Sequence, residues 1–251
     1  VGRRGSGKST LIALLQRFYA PNSGEMSLDG IDVRALDPDW LRSQMAVVPA
    51  EPLLFGVSLA NNIAYAADSP TQAQVEAAAR YADAHDFILS LPDGYQAVIG
   101  DTGVRLTAAQ KLQVGLARAV LANGALLLLD DSLQHLPPST AHAVRERLST
   151  SRGTRTVIAF TSSPHSLAHA PDRVFVLDGG RVAEEGTVSE LLERNGIFAQ
   201  LANGEGEGER GRGGGEDEAK ESQPSNPEAV WKLRLSLADA LEERLLSLPM
   251  P

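Results

Sequence analysis

The chain has no cysteine. That removes disulfide frameworks, thiolate metal sites and cysteine nucleophiles from consideration. No apolar run approaches the ~18 residues of a membrane span; the longest comparable stretch, Ala125 to Leu129, is strand-sized. Positive charge is scarce, with 23 Lys and Arg against 32 Asp and Glu, a net of −9. So acidic a chain is a poor match for a broad nucleic-acid surface, and no nucleic-acid partner is expected. There is no internal repeat, and no charged segment leading into an apolar one that would read as a signal peptide. The first residue is Val1 and a strong motif starts at the second, so the chain reads as cut from a longer protein. What is present, 251 residues of which 43% are hydrophobic, suffices for a large buried core.

Composition breaks at Asn203. From there to Pro251 stand 11 acidic and 6 basic residues, a net of −5, whereas the first 202 residues carry 21 and 17, a net of −4. Gly204 to Gly215 contains seven glycines in twelve residues, followed by charge and proline. Such a segment cannot bury a core, so residues 203–228 are expected to be a flexible linker. Leu233, Leu237, Leu241, Leu245 and Leu248 then fall at helical spacing, predicting a short amphipathic helix over 229–251. It would dock on its own domain, on nothing, or on a partner.

Residues 1–202 alternate helix and strand patterns. A helix is expected through Leu11, Leu14, Leu15 and Phe18, stopping at Pro21 to Gly24. Met26 to Val33 around Asp29-Gly30 reads as a hairpin. Met45 to Val48, Ala125 to Leu129, Thr156 to Phe160 and Val174 to Leu177 read as strands, with a last one near Val182 after the Gly179-Gly180 turn. Thr71 to Leu91 reads as helical with Ala77, Ala78, Tyr81 and Ala82 inward, and Gln110 to Leu121 as another helix. The alternation predicts an α/β domain with a mainly parallel, covered sheet.

The strongest motif is Gly2-Arg3-Arg4-Gly5-Ser6-Gly7-Lys8-Ser9-Thr10, which fits G-x-x-x-x-G-K-[ST]. Glycines let the backbone wrap a phosphate with φ values that a Cβ resists. The exposed amides then face the anion at a helix N-terminus. Lys8 adds a cation for the β- and γ-phosphates, and the Ser9 hydroxyl can ligate Mg²⁺. An apolar helix follows directly, as this chemistry requires. Downstream, Leu126 to Leu129 form a buried strand that delivers Asp130 to the sheet's C-terminal edge, where such proteins place the Mg²⁺-holding aspartate.

These residues, together with several further stretches, resemble the nucleotide-binding domain of ATP-binding-cassette (ABC) transporters of the exporter type, from Gly2 to about Ala202. Val47 to Phe55 with Asn62-Ile63 resembles the family's glutamine-loop segment. Asp93-Gly94-Tyr95 and Ile99 to Gly103 resemble an exporter-specific run. Leu106-Thr107-Ala108-Ala109-Gln110 sits where the LSGGQ signature belongs, and Ala117-Arg118-Ala119, Val176 to Arg181, Glu185-Gly186-Thr187 and Glu190-Leu191-Leu192 continue in order. The resemblance implies a P-loop NTPase cassette with a mainly parallel core sheet, a small antiparallel part and a helical subdomain. It implies ATP and Mg²⁺ as ligands, a second cassette in a heterodimer, and a transmembrane domain on the same or a partner chain. The place implied is the cytoplasmic face of the cell (inner) membrane. Gly2 to Thr10 would hold the phosphates, Ser9 and Asp130 the metal, and Leu106 to Gln110 the nucleotide of the partner cassette.

Departures from the family pattern are equally specific. The loop glutamine is Ala50, the catalytic glutamate after the metal aspartate is Asp131, and the signature glycines are Ala108 and Ala109. The switch histidine falls on Phe160, or on Thr161 if the register slips by one, with His165 and His135 nearby. The family's aspartate near Pro137 is missing. The resemblance therefore implies a transport-coupled ATPase whose own site hydrolyses weakly, with Asp131 as its short base. Two rivals are a silent cassette acting as an ATP-dependent clamp and a soluble ABC protein of repair or translation.

Overall fold

The computed structural model describes residues 1–100, 103–150, 155–167 and 171–204. Except for Asn203 and Gly204, the expected linker and tail helix lie outside the described residues. Helix α1 is Lys8–Leu15, and a small hairpin follows, with strands β1 Ser27–Leu28 and β2 Ile31–Asp32. Asp29 at φ 50° and Gly30 at φ 81° make the tight left-handed turn that such a two-residue loop needs. Helix α2, Pro38–Ser43, begins at Asp37, whose carboxylate accepts from the amides of Asp39 and Trp40. Strand β3, Met45–Val48, leads to helices α3 Leu59–Ala64, α4 Gln72–Tyr81, α5 His85–Leu89 and α6 Ala108–Ala122. Then come β4 Leu126–Asp130, α7 Pro138–Thr150, β5 Thr156–Phe160, β6 Val174–Asp178, β7 Arg181–Gly186, α8 Val188–Glu193 and α9 Ile197–Ala202.

Strands β3, β4 and β5 form a parallel sheet with β4 in the middle. The period of two along β4 sorts its leucines between two cores. Leu127 and Leu129 pack with the helices α3, α4 and α6, whereas Leu126 and Leu128 pack with Ile12 and Leu15 of α1 and with Leu41 of α2. Covering both faces explains why the strand is an unbroken leucine run rather than an alternating one. Beyond β5, Gly2 N donates to Thr161 O at 3.1 Å and Leu177 N donates to Val1 O at 2.7 Å. Val1 and Gly2 thus lie between β5 and β6 and feed the phosphate loop from the sheet edge. Strands β6 and β7 pair antiparallel, under α8 and α9. Among the described residues no helix is long and apolar enough to cross a membrane.

Three helices start with the same reciprocal cap, a threonine hydroxyl accepting from the N3 amide while the N3 side chain accepts from the threonine amide: Thr71 with Gln74, Thr107 with Gln110, and Thr187 with Glu190. Two expectations are corrected. Helix α1 ends at Leu15 because Arg17 takes φ 57°, which leaves Phe18 exposed beneath the Arg42 guanidinium. The helical stretch from 71 to 91 is broken at Asp83, φ 60°, and its inward side is Val75, Ala78, Ala79 and Ala82, with Ala77 outside. Helix α6 lies so close to Pro52 that a Cβ on Gly115 would meet the proline ring at 2.7 Å. Gly115→Ala is expected to cost about 1–3 kcal/mol, as overpacking does. An unchanged melting temperature would show instead that the Pro52 segment yields freely.

Candidate nucleotide site

The phosphate loop is built around two left-handed glycines, Gly5 at φ 81° and Gly7 at φ 100°. Ser6 N donates to Arg3 O at 3.2 Å, closing a turn over Arg4 and Gly5. Gly2 has no room for a side chain, since a Cβ there would stand 2.5 Å from both Leu177 O and Ser6 Oγ. The Ser6 hydroxyl is buried with no hydrogen-bond partner. Gly7 caps α1 without a side chain, so the first-turn amides have no intrahelical acceptor and stay available to an anion. Lys8 is buried, and its Nζ donates to Gly2 O at 2.7 Å and Arg3 O at 3.0 Å. Burial lowers its pKa, opposed by the charges of Asp131 and Asp130.

Asp130 closes β4 on the α1 face of the sheet, in the same parity as Leu126 and Leu128. Its Oδ2 accepts from Ser9 Oγ at 3.4 Å. Burial and the neighbouring Asp131 push its pKa up, while Ser9 and Lys8 pull it down. Asp131 turns out of the strand in the left-handed region, φ 48°, with its amide on Phe160 O. Its Oδ1 accepts from Ser162 N at 2.8 Å and from Ser162 Oγ at 3.4 Å. Loop, lysine, Ser9, Asp130 and Asp131 therefore converge at the ends of β4 and β5, the place where parallel sheets hold ligands.

A family model described as ABC transporter matches residues 1–134, more than half of the chain. The chain belongs to the ABC transporter family. It is 45% identical over 207 residues to ATP-binding cassette sub-family B member 10, mitochondrial, of Mus musculus, covering 81% of this chain and 29% of that protein. It is 44% identical over 202 residues to the ATP-dependent lipid A-core flippase of Alkalilimnicola ehrlichii, covering 80% of this chain and 34% of that one. A solved bacterial Atm1-family ABC exporter with ATP bound superposes at TM-score 0.75 and 35% identity, over 80% of this chain and 35% of that chain. The ABC chain thus spans about a third of such relatives. Its fold is that of an ABC cassette, with a parallel core sheet, small antiparallel sheets and packed helices.

Within this ABC cassette, among the described residues, the signature-like segment makes no hydrogen bond to the phosphate loop. Thr107 caps α6, with Ala108 and Ala109 as the first helical residues, and Gln110 is bound back to Thr107 rather than to any loop residue. Ala50 is half-buried beyond β3, and His135 and His165 are exposed. The two candidate switch residues, Phe160 and Thr161, do not present a side chain to Asp131. Phe160 faces the α1 side of the sheet and is buried with Ile12, Leu15 and Met26. Thr161 is buried too, and its hydroxyl is bonded to the Ser163 backbone. The side chain that meets Asp131 is Ser162, which sequence reasoning missed. The alternation that orders strand residues stops at Phe160, so no period carries over to Ser162.

Proposed function

We propose that this cassette binds Mg-ATP on residues 2–10 and couples that binding to a membrane-spanning exporter part, with slow hydrolysis at its own site. The observation that carries the reading is the convergence of the glycine loop, buried Lys8, and the Ser9–Asp130 pair at one sheet edge. The fit to nucleotide is supported by Gly2, whose missing side chain lets the loop close, and by the buried, unpartnered Ser6 hydroxyl. The Ser9 hydroxyl and the Asp130 carboxylate are the kind of oxygen donors that suit Mg²⁺, which takes one or two protein ligands and completes its shell with phosphates and water. Bound Mg-ATP would supply the phosphoanhydride bond to be cleaved and a divalent charge that offsets the phosphate charge.

The chain's own groups then divide the work. Gly2, Arg3, Arg4, Gly5, Ser6 and Gly7 shape the loop, and the amides of Lys8, Ser9 and Thr10 hold phosphate oxygens. Lys8 adds its ammonium, and Ser9 and Asp130 hold Mg²⁺. Asp131 is the candidate base, yet one of its oxygens is already occupied by Ser162. That engagement favours the second reading, a silent cassette that clamps on ATP beside a competent partner in a heterodimer. Leu106 to Gln110 would face the partner's nucleotide with two added methyl groups. A contact with the membrane-spanning part is supported by an apolar surface between Ala50 and Leu91. Leu53 and Tyr65 there are 82% and 66% exposed, beside Phe55 and above the Arg118 guanidinium. In this reading the cassette works at the cytoplasmic face of the cell (inner) membrane.

Lys8→Ala tests the core of the proposal. It removes a charge-assisted contact worth roughly 1.5–3 kcal/mol, so Mg-ATP affinity by calorimetry is expected to fall at least about tenfold. Unchanged affinity would remove the phosphate-loop reading.

A further inference from the structure

Two cations remain unused once the phosphate loop is assembled. The turn closed by Ser6 N on Arg3 O, with Gly5 at φ 81°, places Arg4 at its crest and Arg3 at its leading corner. Both side chains are exposed, and neither guanidinium has a hydrogen bond or an ion pair among the described residues. Lys8, by contrast, is buried and donates to two carbonyls of the loop itself. The nearby acids do not neutralise the arginines either. Asp130 receives Ser9, and Asp131 receives Ser162. The mouth of the loop therefore carries two permanent positive charges with nothing built to hold them.

We propose that Arg3 and Arg4 grip the terminal phosphate of a bound nucleoside triphosphate and so set the preference of this loop for triphosphate over diphosphate. The inference rests on the reading that the loop binds nucleotide, and it goes further by assigning specificity to two side chains. The loop amides serve phosphates that both nucleotides carry, and Lys8 reaches the β- and γ-phosphates, so its charge acts on a diphosphate as well as on a triphosphate. A guanidinium stays protonated at all working pH values and offers a planar fork that matches two phosphate oxygens. Placed at the mouth, it meets a group that the diphosphate lacks. An arginine supplied from the same chain is an established way of holding charge at a transferring phosphoryl group.

The test uses the 251-residue chain as parent, with Arg3→Gln, Arg4→Gln, the double variant and Lys8→Ala, and measures Mg-ATP and Mg-ADP affinity by calorimetry. The parent is expected to prefer Mg-ATP by about tenfold or more, as a charge-assisted contact provides. The double variant is expected to lose that preference, its Mg-ATP affinity falling about tenfold more than its Mg-ADP affinity. Its salt dependence of Mg-ATP binding should also become shallower. A double variant that keeps the parent's ATP-to-ADP ratio overturns the inference. Equal weakening of both nucleotides overturns it as well, since that is general attraction rather than recognition of the terminal phosphate. Lys8→Ala, which should weaken both, shows that the loop is the site being read. A parent that binds neither nucleotide overturns the phosphate-loop reading, and this inference with it.

Discussion

The variant combining Asp131→Glu, Ser162→His, Ala108→Gly and Ala109→Gly is expected to hydrolyse Mg-ATP at least ~10²-fold faster than the parent, the low end for general acid–base help. Each change addresses one residue behind the proposed slow hydrolysis. Asp131 sits against the end of β5 with Oδ1 on the Ser162 amide. Glutamate would carry the carboxylate about one carbon–carbon bond, ~1.5 Å, farther from that strand end. Ser162 touches the base through both its amide and its hydroxyl, so an imidazole there starts beside the carboxylate it must work with. Ala108 and Ala109 open α6, and deleting their methyls bares the first-turn amides, which the proposed reading turns toward a partner's nucleotide. The four belong in one variant because groups acting as a unit give non-additive effects, and single restorations can stay silent. Phosphate release, measured with the membrane-spanning part and partner cassette present, decides the matter. A parent turning over at ~1 s⁻¹ or faster, within the range of ordinary enzymes, would sink the weak-site reading.

Phe160→His, in contrast, should damage the fold and add no hydrolysis. Phe160 is 8% exposed and packs in the α1-side core with Ile12, Leu15, Met26 and Leu128. Removing a buried phenylalanine ring costs about 3–5 kcal/mol, of which the smaller imidazole keeps a part. Its nitrogens would then be buried without partners, adding roughly 1–3 kcal/mol. The net loss is expected to be about 3 kcal/mol, near 10²-fold in the folding equilibrium. Ser162 is half-buried at the strand's exit, so Ser162→His should stay within about 1 kcal/mol of the parent. Urea midpoints at unchanged slope give both numbers. A Phe160→His variant with the parent's midpoint and faster hydrolysis would return the switch position to the strand end and refute Ser162.

The sequence alone determined the phosphate loop, the leucine strand with Asp130 at its end and the Asp29-Gly30 hairpin. Each is a local signal: a φ requirement or an apolar run between turns. The family followed from the order of these signals, which is also a property of the chain. Only the tertiary structure decided which residue meets Asp131. That contact depends on how the backbone leaves β5, and the exit is set by Asp131 N on Phe160 O and Ser162 N on Asp131 Oδ1. Neither bond is written in any periodicity, because a strand's period of two holds only while the strand lasts. The same reason hid the end of α1 at Leu15 and the break at Asp83. Arg17 and Asp83 are ordinary helix residues by composition, and tertiary bonds oppose a continuous helix there. The Arg17 guanidinium reaches Leu36 O, while Asp83 holds Gln113 and Thr140 across the helical body. Local chemistry thus decided where an anion would sit, and the packing of separate elements decided which side chains surround it.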